Sequence, residues 1–293
     1  MIDLLAEPLT HAFFVRALIA ASLVGIVCAV VGTFVVLKGL AFIGDAISHA
    51  AFPGVVAAYI VHGPILIGAA IAAVITALSI GFVTRRAGVR GDTAIGVLFA
   101  GAFALGVFMF STIQGYVGDL FGFLFGSLLL TGVEDLVTLT ILATIVLVVV
   151  ALLWKELLYA TFDPQGAAAS GLRVEALEYL FLGLVALTIV VSLQAVGIIL
   201  VVAMLVTPAA TGQLLTVRFG TLVALAVAIG IGTSVLGLYV SYWLDVATGA
   251  TIVLVQTALF LAALALGPRT GLLSRRRPSV AASPIAAGER IPG

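Results

Sequence analysis

The sequence predicts an all-α integral membrane protein that crosses the bilayer eight or nine times. Three observations lead there. Of 293 residues, 63% are hydrophobic and only 9% charged, with a mean hydropathy of +1.35, whereas soluble domains are about half apolar and about a quarter charged. Apolar runs of about 20 residues, the length a helix needs to span hydrocarbon, recur along the chain. The scarce charges collect between those runs. Helix is the required form, because hydrocarbon cannot satisfy an open sheet edge.

The runs fall at roughly 13–37, 40–61, 64–83, 93–112, 134–153, 175–193, 197–216, 218–243 and 248–266. The stretch from Ala12 to Leu37 is too long for a signal-peptide core and lacks a basic region followed by a small-residue cleavage site. It is expected to remain as the first span. A shorter apolar piece at about 119–130 reads as re-entrant or interfacial. Between the fifth and sixth runs, the stretch from Trp154 to Arg173 is the longest polar connection, and Asp163-Pro164 within it is a helix start. The alanines that follow favour helix, and Gly171 can end it. From Pro268 onward, Arg275, Arg276 and Arg277 precede a Pro-, Ser-, Ala- and Gly-rich stretch. Such a segment buries too little to order itself, so residues 268–293 are expected to be a disordered cytoplasmic tail with a basic membrane-surface anchor.

Orientation follows from Lys and Arg, which accumulate in cytoplasmic loops. Lys38, the group Arg85, Arg86 and Arg90, the segment Lys155 to Arg173, Arg218, and the group Arg269 with Arg275 to Arg277 all lie between runs. All five groups are cytoplasmic at once if nine runs cross, which puts the amino terminus outside and the carboxyl tail inside. Arg16 dissents. Early in the first run, it either snorkels to the outer interface or, if cytoplasmic, leaves only eight spans.

Several function classes are excluded. The formal net charge is zero, which gives nucleic acid no basic surface. A single cysteine, Cys28, rules out a disulfide framework and a Cys-rich metal site and reads as a small buried apolar residue. The 32 glycines are partly regular, with Gly118, Gly122 and Gly126 every four residues and Gly96, Gly101 and Gly106 every five. That spacing lets helices approach closely in lipid.

One place breaks the rule that charges avoid the runs. In the second run, Asp45 and His49 are four residues apart, which on a helix makes a carboxylate and an imidazole neighbours on one face. Counting from Lys38 at 1.5 Å per residue, Asp45 is expected roughly 10 Å into the membrane. Intramembrane ionisable groups are functional-site candidates by default. An oxygen and a nitrogen donor suit Mn²⁺, Fe²⁺ or Zn²⁺ better than Cu⁺. Against this, Asp45 could cap a helix starting after Gly44 and His49 could bond a neighbouring helix, and two ligands do not complete a site of four.

The run Lys38-Gly39-Leu40-Ala41-Phe42-Ile43-Gly44-Asp45-Ala46-Ile47-Ser48-His49-Ala50 resembles the signature of the permease subunits of the zinc/manganese/iron family of bacterial ABC importers. So do Asp92-Thr93-Ala94-Ile95-Gly96 with Ser111, Phe125-Gly126-Ser127 followed by Asp135-Leu136, and Val196-Gly197-Ile198 running on to Thr207-Pro208-Ala209-Ala210. The resemblance covers about residues 12–267 and implies a transmembrane permease domain over 1–267, related in architecture to the vitamin B12 and siderophore importers. It implies a homodimer in the bacterial cytoplasmic (inner) membrane, with the ion pathway along the two-fold axis and Asp45 and His49 as the metal-contacting pair. Two copies then supply four side chains. It further implies cytoplasmic ATP-binding cassette subunits, docked on about residues 154–173, and an extracytoplasmic metal-binding protein. The transported ion would be Zn, Mn or Fe, with no permanently bound cofactor and no catalytic residue in this chain. Gln165 and Gly166 depart from the family pattern, which usually has an acidic and a bulkier residue there.

The residues bear independently on where the ATPase lies. The only lysines, Lys38 and Lys155, sit in no Walker A setting, so a nucleotide would have to bind another chain. His11 and His62 at the outer turns, and Gln194, Met204 and Thr207, are weaker pathway candidates. Two other classes compete with the ABC permease. A stand-alone ion-coupled secondary transporter, with Asp45 as cation or proton site, would show inverted repeats, and none is detectable. An intramembrane enzyme would show a Gly-x-Ser-x-Gly or His-Glu-x-x-His motif, and Ser48 does not face His49 on a helix.

Overall fold

A computed structural model describes residues 6–113 and 128–266. Among them there is no strand, and nine helical spans are long and apolar enough to cross a membrane. They are α1 (Ala12–Leu37), a second span broken into α2 (Ile43–Ala50) and α3 (Phe52–Ile60), α4 (Ile65–Arg86), α5 (Gly91–Phe110) and α6 (Val133–Leu152). Two short helices follow, α7 (Trp154–Phe162) and α8 (Pro164–Ala169), and then α9 (Val174–Val196), α10 (Ile198–Leu215), α11 (Phe219–Leu244) and α12 (Thr248–Leu266). Every apolar run of the sequence became a span. Of the piece at 119–130, only the 3₁₀ turn Leu128–Leu130 is described. The Gly118/Gly122/Gly126 stripe, the Phe125-Gly126-Ser127 motif and the tail at 268–293 lie outside the described residues.

The ends of the spans fall into two groups at opposite ends of the bundle. Leu37 and Lys38 at the end of α1, Arg85 at the end of α4, Gly91 at the start of α5, Pro164 in α8 and Glu178 early in α9 all line one cavity. Aromatic contacts carry the same end across to α11: Trp154 lies tilted against Phe219 at 5.0 Å, and Phe34 meets both. At the opposite end, the His11 ring lies 6.3 Å from Tyr242, and Phe13, Leu129 and Asp245 line a common pocket. That alternation agrees with nine crossings. Arg16, in the second turn of α1, sits at the end opposite Lys38, as the nine-span reading expects. Its Nε is buried with no hydrogen-bond partner among the described residues.

Helices α1 and α9 form the centre, with Phe14, Val24, Phe34, Phe181, Ile189 and Leu193 buried along them. Helix α1 packs on α10 and α11, while α4 packs on α3 and α9. Bare backbone makes the closest crossings possible. A methyl at Gly32 would coincide with the carbonyl oxygen of Leu205, and methyls at Gly54 and Gly68 would each strike the other's carbonyl. In lipid, where apolar burial gives no net drive to associate, such close van der Waals approach is what holds helices together. Gly106 meets Phe52 and Pro53, but a methyl on Gly96 or Gly101 would meet nothing within 4 Å. The five-residue glycine spacing is thus not one packing face.

The long connection is two helices and not one. Asp163 caps α8 by accepting a hydrogen bond from the N–H of Gly166 at 2.8 Å. Gly171, at φ +88°, ends it, with its N–H donating to Ala168 and that of Leu172 to Ala167. This paired pattern is a Schellman termination, which favours glycine at the left-handed position. The cap, the first helical residue and the terminating glycine thus fall at Asp163, Pro164 and Gly171, as their residue types predict. Helix α7 continues α6 after a bend at Leu153. Replacing Asp163 by Ala should destabilise this element by about 1 kcal/mol. Hydrogen exchange of the 164–170 amides, read by mass spectrometry, should rise several-fold while the spans stay protected.

Candidate functional site

The sequence element around Asp45 folds as it does because α1 ends in a sharp turn. Gly39 adopts φ +69°, its N–H donates to Val36, and that of Leu40 donates to Val35, so the chain reverses within a few residues. Helix α2 then starts at Ile43. Asp45 is its third residue, roughly 3 Å along the axis, and His49 lies roughly 9 Å along. The count from Lys38 overstated the depth of Asp45, because residues 38–42 are spent in the turn.

The four-residue spacing brings the two groups together. His49 Nε2 lies 3.4 Å from Asp45 Oδ1, and both side chains are half-buried, at 31% and 49% exposure respectively. Helix α2 has no side-chain cap, and its N-cap is Phe42, so Asp45 is not spent on capping. Nor does His49 pair with a polar group of a neighbouring helix among the described residues. Its imidazole instead packs against Phe99 at 5.5 Å and Phe103 at 5.4 Å, both on α5. Phe99 lies tilted to the imidazole at 56° and Phe103 meets it edge-on at 82°.

The helix is interrupted one turn further on. Pro53 has no N–H to give to the carbonyl of His49, four residues before it, and the span breaks at Ala51. Broken helices at membrane depth are tolerated where they line a cavity or are buried in protein. Ser48, adjacent in sequence, is buried and donates to the carbonyl of Gly44 at 2.7 Å, so its hydroxyl is committed to the helix. No group of three or more His, Cys, Asp or Glu capable of holding a metal occurs among the described residues. One chain offers one carboxylate and one imidazole. Two donors fall short of the four that complete a typical metal site.

The other sequence candidates separate. Gln194 Nε2 donates to Asp135 Oδ1 at 2.9 Å, and Asp135 Oδ2 accepts from the Gly132 N–H at 3.0 Å, so this pair ties the end of α9 to the start of α6. Met204 is fully buried, and the Thr207 carbonyl accepts from Thr211. His11 precedes α1 with its ring stacked on Phe13 at 5.5 Å, and His62 occupies an exposed left-handed turn. None of these joins Asp45 and His49. Sequence reasoning missed Phe99 and Phe103. Their only signal was an i, i+4 aromatic pair in an apolar run, indistinguishable there from lipid-facing side chains.

A polytopic bundle of nine candidate spans, with an acid and an imidazole paired on a broken one, has the build of a membrane permease. The chain belongs to the ABC 3 transport family, whose model matches residues 10–267. It is 45% identical over 269 residues to the manganese transport system membrane protein MntC of Halalkalibacterium halodurans, covering 92% of each chain. It is 40% identical over 276 residues to the chelated iron transport system membrane protein YfeC of Yersinia pestis, covering 94% of each. Among solved structures, PsaBC from Streptococcus pneumoniae in complex with Fab matches with a TM-score of 0.81 at 35% identity, over 92% of this chain and 98% of that one. A metal-chelate type ABC transporter in an inward-facing conformation matches at TM-score 0.66 and 18% identity, over 85% of each chain, which bears on the fold alone.

Proposed function

We propose that the chain is the permease subunit of an ATP-driven importer of Mn²⁺ or Fe²⁺, and that two copies form the ion pathway with Asp45 and His49 of each as its metal-contacting step. The observation that carries this reading is the 3.4 Å approach of His49 Nε2 to Asp45 Oδ1 on a membrane span, at a place where one chain provides two donors. The manganese and iron named for the relatives favour those ions, and an oxygen–nitrogen set suits both. Zn²⁺ shares the donor preference and is the competitor to test. The end that carries Lys38, Arg85 and Arg218 faces the cytoplasm in this reading, by the excess of basic residues there. Helices α7 and α8 at that end would dock the ATP-binding cassette subunits, and an extracytoplasmic metal-binding protein would deliver the ion to the other end. Residues 268–293 would form a cytoplasmic tail.

The mechanism is alternating access. ATP-driven closure of the partner subunits moves α8, the bundle reopens toward the other side, and the ion passes from outer donors to the Asp45 carboxylates and His49 imidazoles and then inward. Purified transporter in nanodiscs should bind one Mn²⁺ per two permease chains, measured by elemental analysis after gel filtration. One metal per chain, unaffected by Asp45→Asn, would contradict the shared site.

A further inference from the structure

A second polar site lies at the basic end, away from the Asp45–His49 pair. A cavity of about 350 Å³ opens there between the end of α1, the end of α4 and the start of α9, with Thr161 and Pro164 at its rim. Its inner wall is apolar, formed by buried Ile43, Ile80, Phe181 and Leu182. Its polar side chains are Lys38, Thr84, Arg85, Glu178 and Thr161, the last with its hydroxyl already donated to the Leu157 carbonyl. The carboxylate is already engaged, since Arg85 Nε donates to Glu178 Oε2 at 2.6 Å and Nη2 donates to the same oxygen. Lys38 has no ion-pair partner among the described residues, and its Nζ lies 5.7 Å from the centroid of the Phe181 ring. Thr84 Oγ1 is buried and makes no hydrogen bond. Burial pushes the Lys38 ammonium below the usual lysine range, with the Glu178 carboxylate opposing the shift and the Arg85 guanidinium adding to it.

Two cationic side chains against one committed carboxylate leave the cavity one positive charge in excess. A metal cation is repelled there, and an anion is favoured. The volume falls in the small-ligand range of about 300–1,000 Å³. An apolar wall beneath a basic mouth at the membrane boundary is the arrangement that receives anionic lipid headgroups between spanning helices. We propose that this cavity binds a phosphate-bearing anion, with Lys38 as its charge partner and the Thr84 hydroxyl as a hydrogen-bond donor. The phosphate comes either from an anionic phospholipid headgroup or from inorganic phosphate. An occupant would touch α1, α4, α9 and the α7–α8 segment at once, bracing the segment against the bundle. The inference does not depend on which ion the permease carries.

The test uses the full-length permease, purified in detergent and stripped of lipid, with native mass spectrometry as the readout. Phosphatidylglycerol should be retained as a discrete adduct and phosphatidylcholine should not. Lys38→Met should weaken retention by about tenfold or more, the usual cost of losing a charged hydrogen-bond partner, and Thr84→Val should weaken it by several-fold. Arg86, which lies over the Phe82 ring and outside the cavity lining, serves as the control, and Arg86→Gln should bind as the unmodified chain does. If millimolar inorganic phosphate binds and displaces the lipid, free phosphate is the source; if the lipid stays bound, the headgroup is. Equal retention by Lys38→Met and Thr84→Val and the unmodified chain overturns the proposal, and so does an equal loss in Arg86→Gln.

Discussion

Manganese uptake falls at least about tenfold in cells whose only copy of this permease carries Asp45→Ala or His49→Ala, with the protein present at normal level in the membrane. Loss of a mere supporting contact to a metal ligand typically costs about 10–100-fold, so loss of a contacting group should cost no less. The double variant should be hardly worse than either single one, because the two side chains act on the ion as a unit. His49→Gln keeps a polar reach but loses the imidazole nitrogen, and should rescue little. Phe103→Leu, which removes one ring beside the imidazole and leaves both donors, should show a milder defect. It should weaken apparent metal affinity more than maximal rate. Uptake is read with radioactive ⁵⁴Mn, and immunoblotting of membranes controls for expression.

The second large effect is structural. Gly32→Ala should destabilise the bundle by about 3 kcal/mol or more, at the upper end of the cost of overpacking, because its methyl group falls on the Leu205 carbonyl. Backbone cannot move aside as a flexible side chain does, so α1 and α10 must separate. Gly232→Ala provides the contrast. A methyl there meets nothing within 4 Å, and replacing a helical glycine by alanine gains up to about 1 kcal/mol in propensity. Thermal unfolding of the two purified variants should therefore move in opposite directions. A Gly32→Ala protein that melts with the unmodified chain would mean that α1 and α10 do not cross this closely.

Much of this bundle is legible in the sequence because lipid imposes one rule on backbone and another on charge. Hydrocarbon forces every backbone group into a helix, so apolar runs map onto spans with ends displaced by only a few residues. The second run is the instructive departure. Its apolar pattern is continuous from Leu40 to Val61, yet the chain spends residues 38–42 turning and breaks again at Ala51. Gly39 and Pro53 were visible as breakers, but whether a breaker bends, ends or merely tightens a helix depends on what packs around it. The pairing of Asp45 with His49 follows from helical periodicity alone and was readable. The aromatic wall was not, since Phe99 and Phe103 gain meaning only when α5 is laid against α2. Likewise Gln194 read as a pathway candidate because a polar residue in a span stands out, and only the fold reveals that Asp135 occupies it.

The most direct measurement is metal accumulation in proteoliposomes that contain the permease with its ATP-binding cassette partner, supplied with the delivering protein and ⁵⁴Mn²⁺. Accumulation that requires both ATP and the partner, and that Asp45→Ala or His49→Ala abolishes, is the predicted result. Equal accumulation by the permease alone, driven by an ion gradient and without ATP, would contradict the account and identify a secondary transporter.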